Sequence, residues 1–191
     1  MARNRSTSAK PADTHVALLR GINVGGKNKM PMKDLVGMFV DVGCSDVQSY
    51  IQSGNVVFKA EPALARRIPT LIAQAISRAL GLSVPVVTRT AAELRRVAQD
   101  NPFLRAGVDA AVLHVAFLAE RPAPAAVASL DPDRSPPDQF QFLGQEIYLR
   151  LPNGVARTKL TNAYFDSKLA TTSTLRNWNT VTKLVELAGG G

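Results

Sequence analysis

Short apolar runs and longer stretches with helical spacing alternate along the chain, and this pattern predicts a mixture of strands and helices. The stretch 64–80 has helical spacing, but Pro69 indicates that it is either kinked or divided into a turn and a later helix. The first half predicts a strand over 15–20, a helix over 31–43, strands over 47–51 and 56–59, the 64–80 stretch, a strand over 84–89 and a short helix over 90–98. This order is β-α-β-β-α-β with an added helix.

The second half repeats this order of elements. Its first strand, His114-Val115-Ala116-Phe117-Leu118, nearly repeats His15-Val16-Ala17-Leu18-Leu19. After it the sequence predicts a short helix over 124–130, strands over 140–143 and 147–151, a helix over 160–169 and a final helix over 177–188. The proline-rich stretch 131–138 predicts a surface loop. The repeated β-α-β-β-α order indicates two related halves.

A β-α-β-β-α-β unit is the ferredoxin-like arrangement, in which both helices pack on one face of an antiparallel sheet. We therefore expect an α+β protein made of two ferredoxin-like halves of βαββα type, with mostly antiparallel sheets. The halves are expected to cover each other's open sheet faces, since strands such as 56–58 show little polar alternation. The predicted divisions are a disordered basic arm over 1–14, one half over 15–105, and a related half with an extra C-terminal helix over 106–191.

The composition is that of a globular chain. Apolar residues make up 46% and charged residues 20% of the 191 residues, which argues against disorder. Cys44 is the single cysteine, so no internal disulfide can form and a reducing, cytoplasmic location is predicted. The longest nearly apolar run, 110–119, is too short for a membrane helix, and we expect no membrane association.

Basic residues outnumber acidic ones by 23 to 15, and the formal net charge is +8. Such a chain attracts anions through long-range electrostatics, so nucleic acid and phosphorylated small molecules are the predicted partners. The alternative is that the charge serves solubility.

Three polar segments carry the candidate chemistry. The first, 20–29, joins a strand to a helix through a glycine-rich loop, where backbone amides can hold an anion. Its glycine spacing matches neither of the common nucleotide-binding fingerprints. The second segment is the hairpin turn 52–55. The third comprises 153–162 and 174–180, whose hydroxyl, amide and basic residues at two helix starts suit phosphate contacts or helix capping alone.

Metal binding and nucleophilic catalysis are not indicated. His15, His114 and Cys44 lie in separate elements without the short spacing of metal ligands, and no cofactor is predicted. Cys44 follows a helix C-terminus, where the helix dipole disfavours a thiolate. Ser53 lies in a hairpin turn and not in the strand-turn-helix elbow of hydrolases. If the halves are related by a twofold, His15 and His114 occupy equivalent strand starts.

The chain carries four distinctive stretches, 18–26 (LLRGINVGG), 50–58 (YIQSGNVVF), 159–162 (KLTN) and 176–181 (RNWNTV). Together and in this order they resemble the bacterial domain of unknown function family 1697. The resemblance spans almost the whole chain, implies a two-part α+β protein with ferredoxin-like pieces, and brings no established activity. The chain departs from the family pattern at Ala156 and Thr158, where members tend to have Gly and Ser.

Three functions remain open. The first is a binding module for nucleic acid or another phosphate-bearing anion. Strand 55–58 lacks the stacking aromatics of ferredoxin-like RNA-binding domains, which disfavours sequence-specific RNA binding. The second is an enzyme acting on a small anionic substrate in a cleft between the halves, with Lys159, Lys168 or Tyr164 transferring protons. The third is a structural or protein-interaction role without a ligand, in which Arg20 and Arg176 are buried and hydrogen-bonded.

The predicted ligand contacts combine basic side chains, which meet phosphates, with polar side chains, which fix orientation. Trp178 is interpreted either as a stacking platform or as a core anchor. The full set is Arg20, Asn23, Lys27, Lys29, Gln52, Ser53, Asn55, Arg157, Lys159, Thr161, Asn162, Arg176, Asn177 and Trp178.

Overall fold

The structure, a computed structural model, describes residues 12–26 and 28–189. The first half contains β1 (Asp13–Leu19), α1 (Met32–Asp41), β2 (Ser45–Tyr50), β3 (Asn55–Ala60), α2 (Pro62–Ala65), α3 (Ile68–Leu80), β4 (Val86–Thr90), α4 (Ala91–Gln99) and α5 (Pro102–Arg105). A short 3₁₀ helix (Ala110–Val112) leads to β5 (Leu113–Leu118), α6 (Pro124–Ala128), β6 (Gln139–Leu143), β7 (Glu146–Arg150), α7 (Asn162–Leu169), β8 (Ser173–Asn177) and α8 (Trp178–Gly189). No helix in the described ranges is long and apolar enough to cross a membrane.

Each half forms its own sheet, and the two sheets share one topology. The strand order is β2-β3-β1-β4 in the first four-stranded sheet and β6-β7-β5-β8 in the second. Every neighbouring pair is antiparallel. The first and third strands of each half lie at the centre of its sheet, which is the ferredoxin-like order. The predicted α+β class with two ferredoxin-like halves is confirmed.

The central strands are buried on both faces, which explains their nearly continuous apolar sequences. In β1, Ala17 and Leu19 pack with residues of α1 and α3 in an outer core. Val16 and Leu18 point to the opposite face and join a core that both halves share. Strand β5 alternates in the same way between this shared core and a second outer core formed with α7.

Helices α4 and α8 pack against each other and complete the shared core. Leu94 and Val97 of α4 meet Trp178, Val181 and Leu184 of α8 in this core, together with the inner faces of both sheets. Each helix directly follows the last strand of its half, so α8 is the counterpart of α4. The open sheet faces are therefore covered by the opposite half with these two helices.

Local sequence signals fix several helix starts. Thr90 and Glu93 form the predicted capping box at the start of α4, because each side chain accepts a hydrogen bond from the other's backbone N–H. Pro69 lies in the first turn of α3, where its missing N–H leaves no hydrogen bond unmade. The stretch 64–80 is consequently divided between α2 and a separate α3 and is not one kinked helix.

Three local features differ from the prediction. Strand β8 was not expected, because Ser173, Thr174 and Arg176 are buried polar residues that give it no apolar alternation. The strand predicted over 47–51 ends at Tyr50, and Ile51 lies in the turn with a φ of 49°. Residues 1–11 of the predicted arm over 1–14 lie outside the described residues. Strand β1 begins within the range predicted for the arm, at Asp13.

The turn between β2 and β3 depends on Gly54, which has a φ of 77°. A Cβ at Gly54 would lie 2.8 Å from the Cβ of Leu19, whereas Gly107 has the same φ and no neighbouring atom within 4 Å. We expect Gly54→Ala to lower the free energy of unfolding by about 2 kcal/mol more than Gly107→Ala, since only Gly54 adds overpacking to backbone strain. Urea denaturation of both variants measures this difference, and equal losses would contradict it.

Candidate functional site

Parts of the three polar segments predicted from the sequence meet where the two halves join, and the stretch 153–161 is not among them. The Asn23 amide nitrogen donates to the carbonyl oxygen of Gln52 at 2.9 Å, which ties the glycine-rich loop to the hairpin turn. The Nε of Arg176 donates to the Oδ1 of Asn55 at 2.6 Å, which ties that turn to β8. These polar residues thus form a hydrogen-bond network that connects both halves and runs from an exposed contact at Asn23 to a buried one at Arg176.

Arg176 is the centre of this network and is buried. Its Nη2 donates to the carbonyl oxygens of Leu19 at 2.6 Å and of Gly54 at 3.3 Å, in the other half. Its Nη1 donates to the Thr174 hydroxyl. No carboxylate pairs with it among the described residues. Burial lowers the pKa of Arg176 to about 10, so the guanidinium remains charged at neutral pH and is held by dipoles alone.

Arg89 of the first half makes the corresponding contacts to the second half. It lies opposite Val16 in the first sheet, as Arg176 lies opposite Val115 in the second. Its Nη2 donates to the carbonyl oxygen of Leu118 at 2.7 Å and its Nε to Glu146 at 2.8 Å. Because Glu146 and Asn55 also occupy equivalent sheet positions, each half sends one buried arginine to the same point of the other half. We call Arg89 and Arg176 the reciprocal arginines.

Arg20 forms a third link between the halves and is half-buried. Its Nη1 lies 2.6 Å from a carboxylate oxygen of Asp166 and 2.9 Å from the carbonyl oxygen of Ser173. The other oxygen of Asp166 accepts from the backbone N–H and the hydroxyl of Ser173, and that hydroxyl also meets Asn162. Arg20 is therefore engaged within the protein.

The remaining predicted contacts divide by exposure. Asn55 is fully buried, and Trp178 lies in the shared core with 6% of its surface exposed, so it is a core anchor. Asn177 and Thr161 are exposed and cap the N-termini of α8 and α7. Ser53 accepts from Asn55, and its neighbour Gln52 has an exposed side chain. Lys29, Arg157 and Lys159 are exposed, and Lys27 lies outside the described residues.

We expect Arg176→Ala to lower the free energy of unfolding by about 3 kcal/mol or more, because it leaves several buried acceptors without their donor. Arg157→Ala, which removes an exposed arginine, should change it by less than about 0.5 kcal/mol. Arg176→Lys should not restore stability, since an ammonium lacks the planar fork that reaches both Asn55 and the carbonyls. Urea denaturation compares the three variants, and a loss shared by Arg157→Ala would count against this role of Arg176.

A groove opens between the halves beside Arg89, one of the two reciprocal arginines. Its first cavity, of about 460 Å³, lies between α4 and the turn that joins β6 to β7. A second cavity of about 390 Å³ adjoins it beside β1, α2 and β4. The two cavities share Arg89, Glu93 and Gln145. We call them together the inter-half groove.

Three exposed arginines line the inter-half groove, Arg96 and Arg121 in the first cavity and Arg66 in the second. None of them takes part in an ion pair of the described residues. The groove carboxylates are mostly engaged. Glu146 pairs with Arg89, Asp100 with Arg105 outside the groove, and Glu93 caps α4, which leaves Asp13 at one rim. The groove therefore offers more free positive than free negative charge.

Two titratable groups of the groove are buried. The Tyr148 hydroxyl donates to the carbonyl oxygen of Val97, and burial raises its pKa above the usual range. His15 stacks on Phe58 with ring centroids 5.5 Å apart, and its Nε2 has no hydrogen-bond partner among the described residues. Burial lowers the pKa of His15, against the smaller opposing effects of Asp13 and Glu93. Both groups are therefore neutral at neutral pH.

The other candidates for chemistry lie elsewhere. Tyr164 accepts a hydrogen bond from the Asp131 backbone and stacks under Arg134, and neither it nor Lys159 nor Lys168 lines the groove. Within the described part of the chain, no three His, Cys, Asp or Glu side chains come together as metal ligands.

The groove arginines were not foreseen from the sequence. Arg66 and Arg96 each belong to a pair of adjacent arginines at 66–67 and 95–96, and Arg121 follows the first strand of the second half. Adjacent arginines in a helix or in the turn between two helices ordinarily lie on a solvated face. Only the packing of the two halves shows that Arg96 and Arg121 line the first cavity and that Arg66 lines the second.

We expect acidification below about pH 6.5 to destabilise the protein. Because burial lowers the pKa of His15 and His114 in the folded state, the unfolded chain takes up protons first as the pH falls. His15→Phe, which can keep the stack on Phe58, should reduce the loss of stability between about pH 7 and about pH 5. Urea denaturation at both pH values tests this, and an unchanged loss would show that His15 does not contribute.

Comparison with known proteins gives a family and a fold. A family model described as "Protein of unknown function (DUF1697)" matches residues 12–148. No curated protein matches the chain. The structure is similar to that of a conserved bacterial protein from Streptococcus pneumoniae, with a TM-score of 0.69 and 23% sequence identity, covering 93% of this chain and 99% of that chain. At this identity the similarity concerns the fold alone.

Proposed function

This chain belongs to the DUF1697 family, which brings no established activity, and we propose from the inter-half groove that it binds a phosphate-bearing anion. The observation that carries the proposal is that the free guanidinium groups of Arg66, Arg96 and Arg121 line one groove between the halves. Arginine suits phosphate because its planar fork donates two parallel hydrogen bonds to two oxygens.

The shape of the groove favours a small ligand over a nucleic-acid chain. Cavities of about 460 and 390 Å³ have the volume of sites that enclose small molecules. Nucleic acid would instead be expected on an extended basic surface with stacking aromatics, and the lone Trp178 is buried in the core. Nucleic-acid binding through Lys29, Arg157 and Lys159 remains the competing proposal, since these side chains are exposed.

A cytoplasmic location is part of this proposal. The single cysteine, Cys44, is free and buried, as is common in proteins of a reducing compartment. Burial raises the pKa of Cys44 to about 11, so the thiol is protonated and unreactive at neutral pH.

We expect the protein to bind inorganic phosphate saturably in isothermal titration calorimetry, with an affinity that falls as salt is added. Arg96→Gln and Arg121→Gln should each weaken binding about tenfold, because each removes a charge-assisted hydrogen bond. Both side chains are exposed, so the variants are expected to keep their fold, which circular dichroism checks.

Arg157→Gln and Lys159→Gln serve as matched controls, because each removes one positive charge outside the groove. Their affinity for phosphate should equal that of the unmodified protein. Phosphate binding that is lost in these two variants and kept in the groove variants would refute the groove as the site. A labelled single-stranded oligonucleotide that binds tightly and depends on Arg157 and Lys159 would establish the competing nucleic-acid function.

A further inference from the structure

The free arginines are divided between the two ends of the inter-half groove. Arg66 lines only the second cavity, and Arg96 and Arg121 line only the first. The two cavities meet at Arg89, Glu93 and Gln145, which line both. Positive charge that is free to meet a ligand thus lies in both of two cavities that share part of their walls.

The middle of the groove does not offer a third anion site. Arg89 lies there, but its guanidinium nitrogens already donate to Glu146 and to the carbonyl oxygens of Thr88 and Leu118. Only 5% of Arg89 is exposed. Glu93 adds a carboxylate at this point, and Gln145 adds a polar residue without charge. An anionic group is disfavoured at this point, whereas a neutral polar group can be accommodated.

We propose, on the basis of the phosphate-binding function above, that the natural ligand is an elongated small molecule with a phosphate group at each end and a neutral polar spacer between them. One phosphate binds Arg96 and Arg121 in the first cavity, and the other binds Arg66 in the second. The spacer lies along Glu93 and Gln145. Thr88 also lines the second cavity and adds a polar residue near that end.

Two linked phosphates bind more tightly than one when the spacer matches the distance between their sites, because the second phosphate is held at a high effective concentration. Isothermal titration calorimetry with inorganic phosphate and with ethanediol, butanediol and octanediol bisphosphates measures this gain. We expect one spacer length to bind at least about tenfold more tightly than inorganic phosphate, with one molecule bound per chain.

Variants at the two ends test whether one ligand spans both. Arg66→Gln and Arg96→Gln should each reduce the affinity for the best bisphosphate to near that for inorganic phosphate. Arg66→Gln should leave phosphate binding in the first cavity unchanged. Arg78→Gln, which removes an exposed arginine of α3 that lines neither cavity, is the matched control and should bind as the unmodified protein does.

The outcomes separate this inference from the proposed function. If inorganic phosphate binds but no bisphosphate binds better at any spacer length, the phosphate site stands and the two-ended ligand is wrong. Two bisphosphate molecules per chain, one at each end, would also overturn the two-ended ligand. If neither inorganic phosphate nor any bisphosphate binds, both proposals fall together.

Discussion

The burial of the Arg176 guanidinium is the constraint on which the arrangement of the two halves depends. A buried charge without a carboxylate partner is tolerated only if nearly all its N–H groups meet acceptors. Here the acceptors are Asn55, Leu19 and Gly54 in one half and Thr174 in the other. Apolar surfaces tolerate sliding, whereas these directional contacts exist in only one relative orientation of the halves. The shared core stabilises the contact between the halves, and Arg176 fixes their orientation relative to each other.

The repetition of this contact by Arg89 shows that the two halves are joined around a pseudo-twofold axis. The two ends of the axis nevertheless differ. Arg20 follows β1 and reaches Asp166 across the junction, whereas the equivalent residue after β5 is Ala119, which lines the second cavity. A short side chain at Ala119 leaves open the space that an arginine would cross. One end of the junction is thus closed by hydrogen bonds, and the other contains the groove.

The contacts that join the halves and the proposed ligand contacts therefore involve different residues. The stretches 18–26, 50–58 and 176–181, which carry the family resemblance, contain Arg20, Asn55 and Arg176, and these side chains join the halves. The groove arginines lie outside those stretches. This division explains why the most distinctive sequence in the chain points to the way the halves are held together, whereas the proposed ligand contacts come from ordinary helix and loop positions.

The sequence by itself determined the elements whose signals are local. Apolar spacing predicted the longer helices and every strand except β8, the Thr90 and Glu93 side chains marked the start of α4, and the repeated His-Val-Ala start indicated the duplication. Tertiary structure alone decided the rest. Strand β8 is polar because Arg176 donates to Asn55 across the junction and to the Thr174 hydroxyl within the strand, so no apolar alternation marks it. The groove joins Arg66 to Arg121, two positions far apart in sequence, and the long-range packing of two halves that brings them together leaves no trace in local spacing.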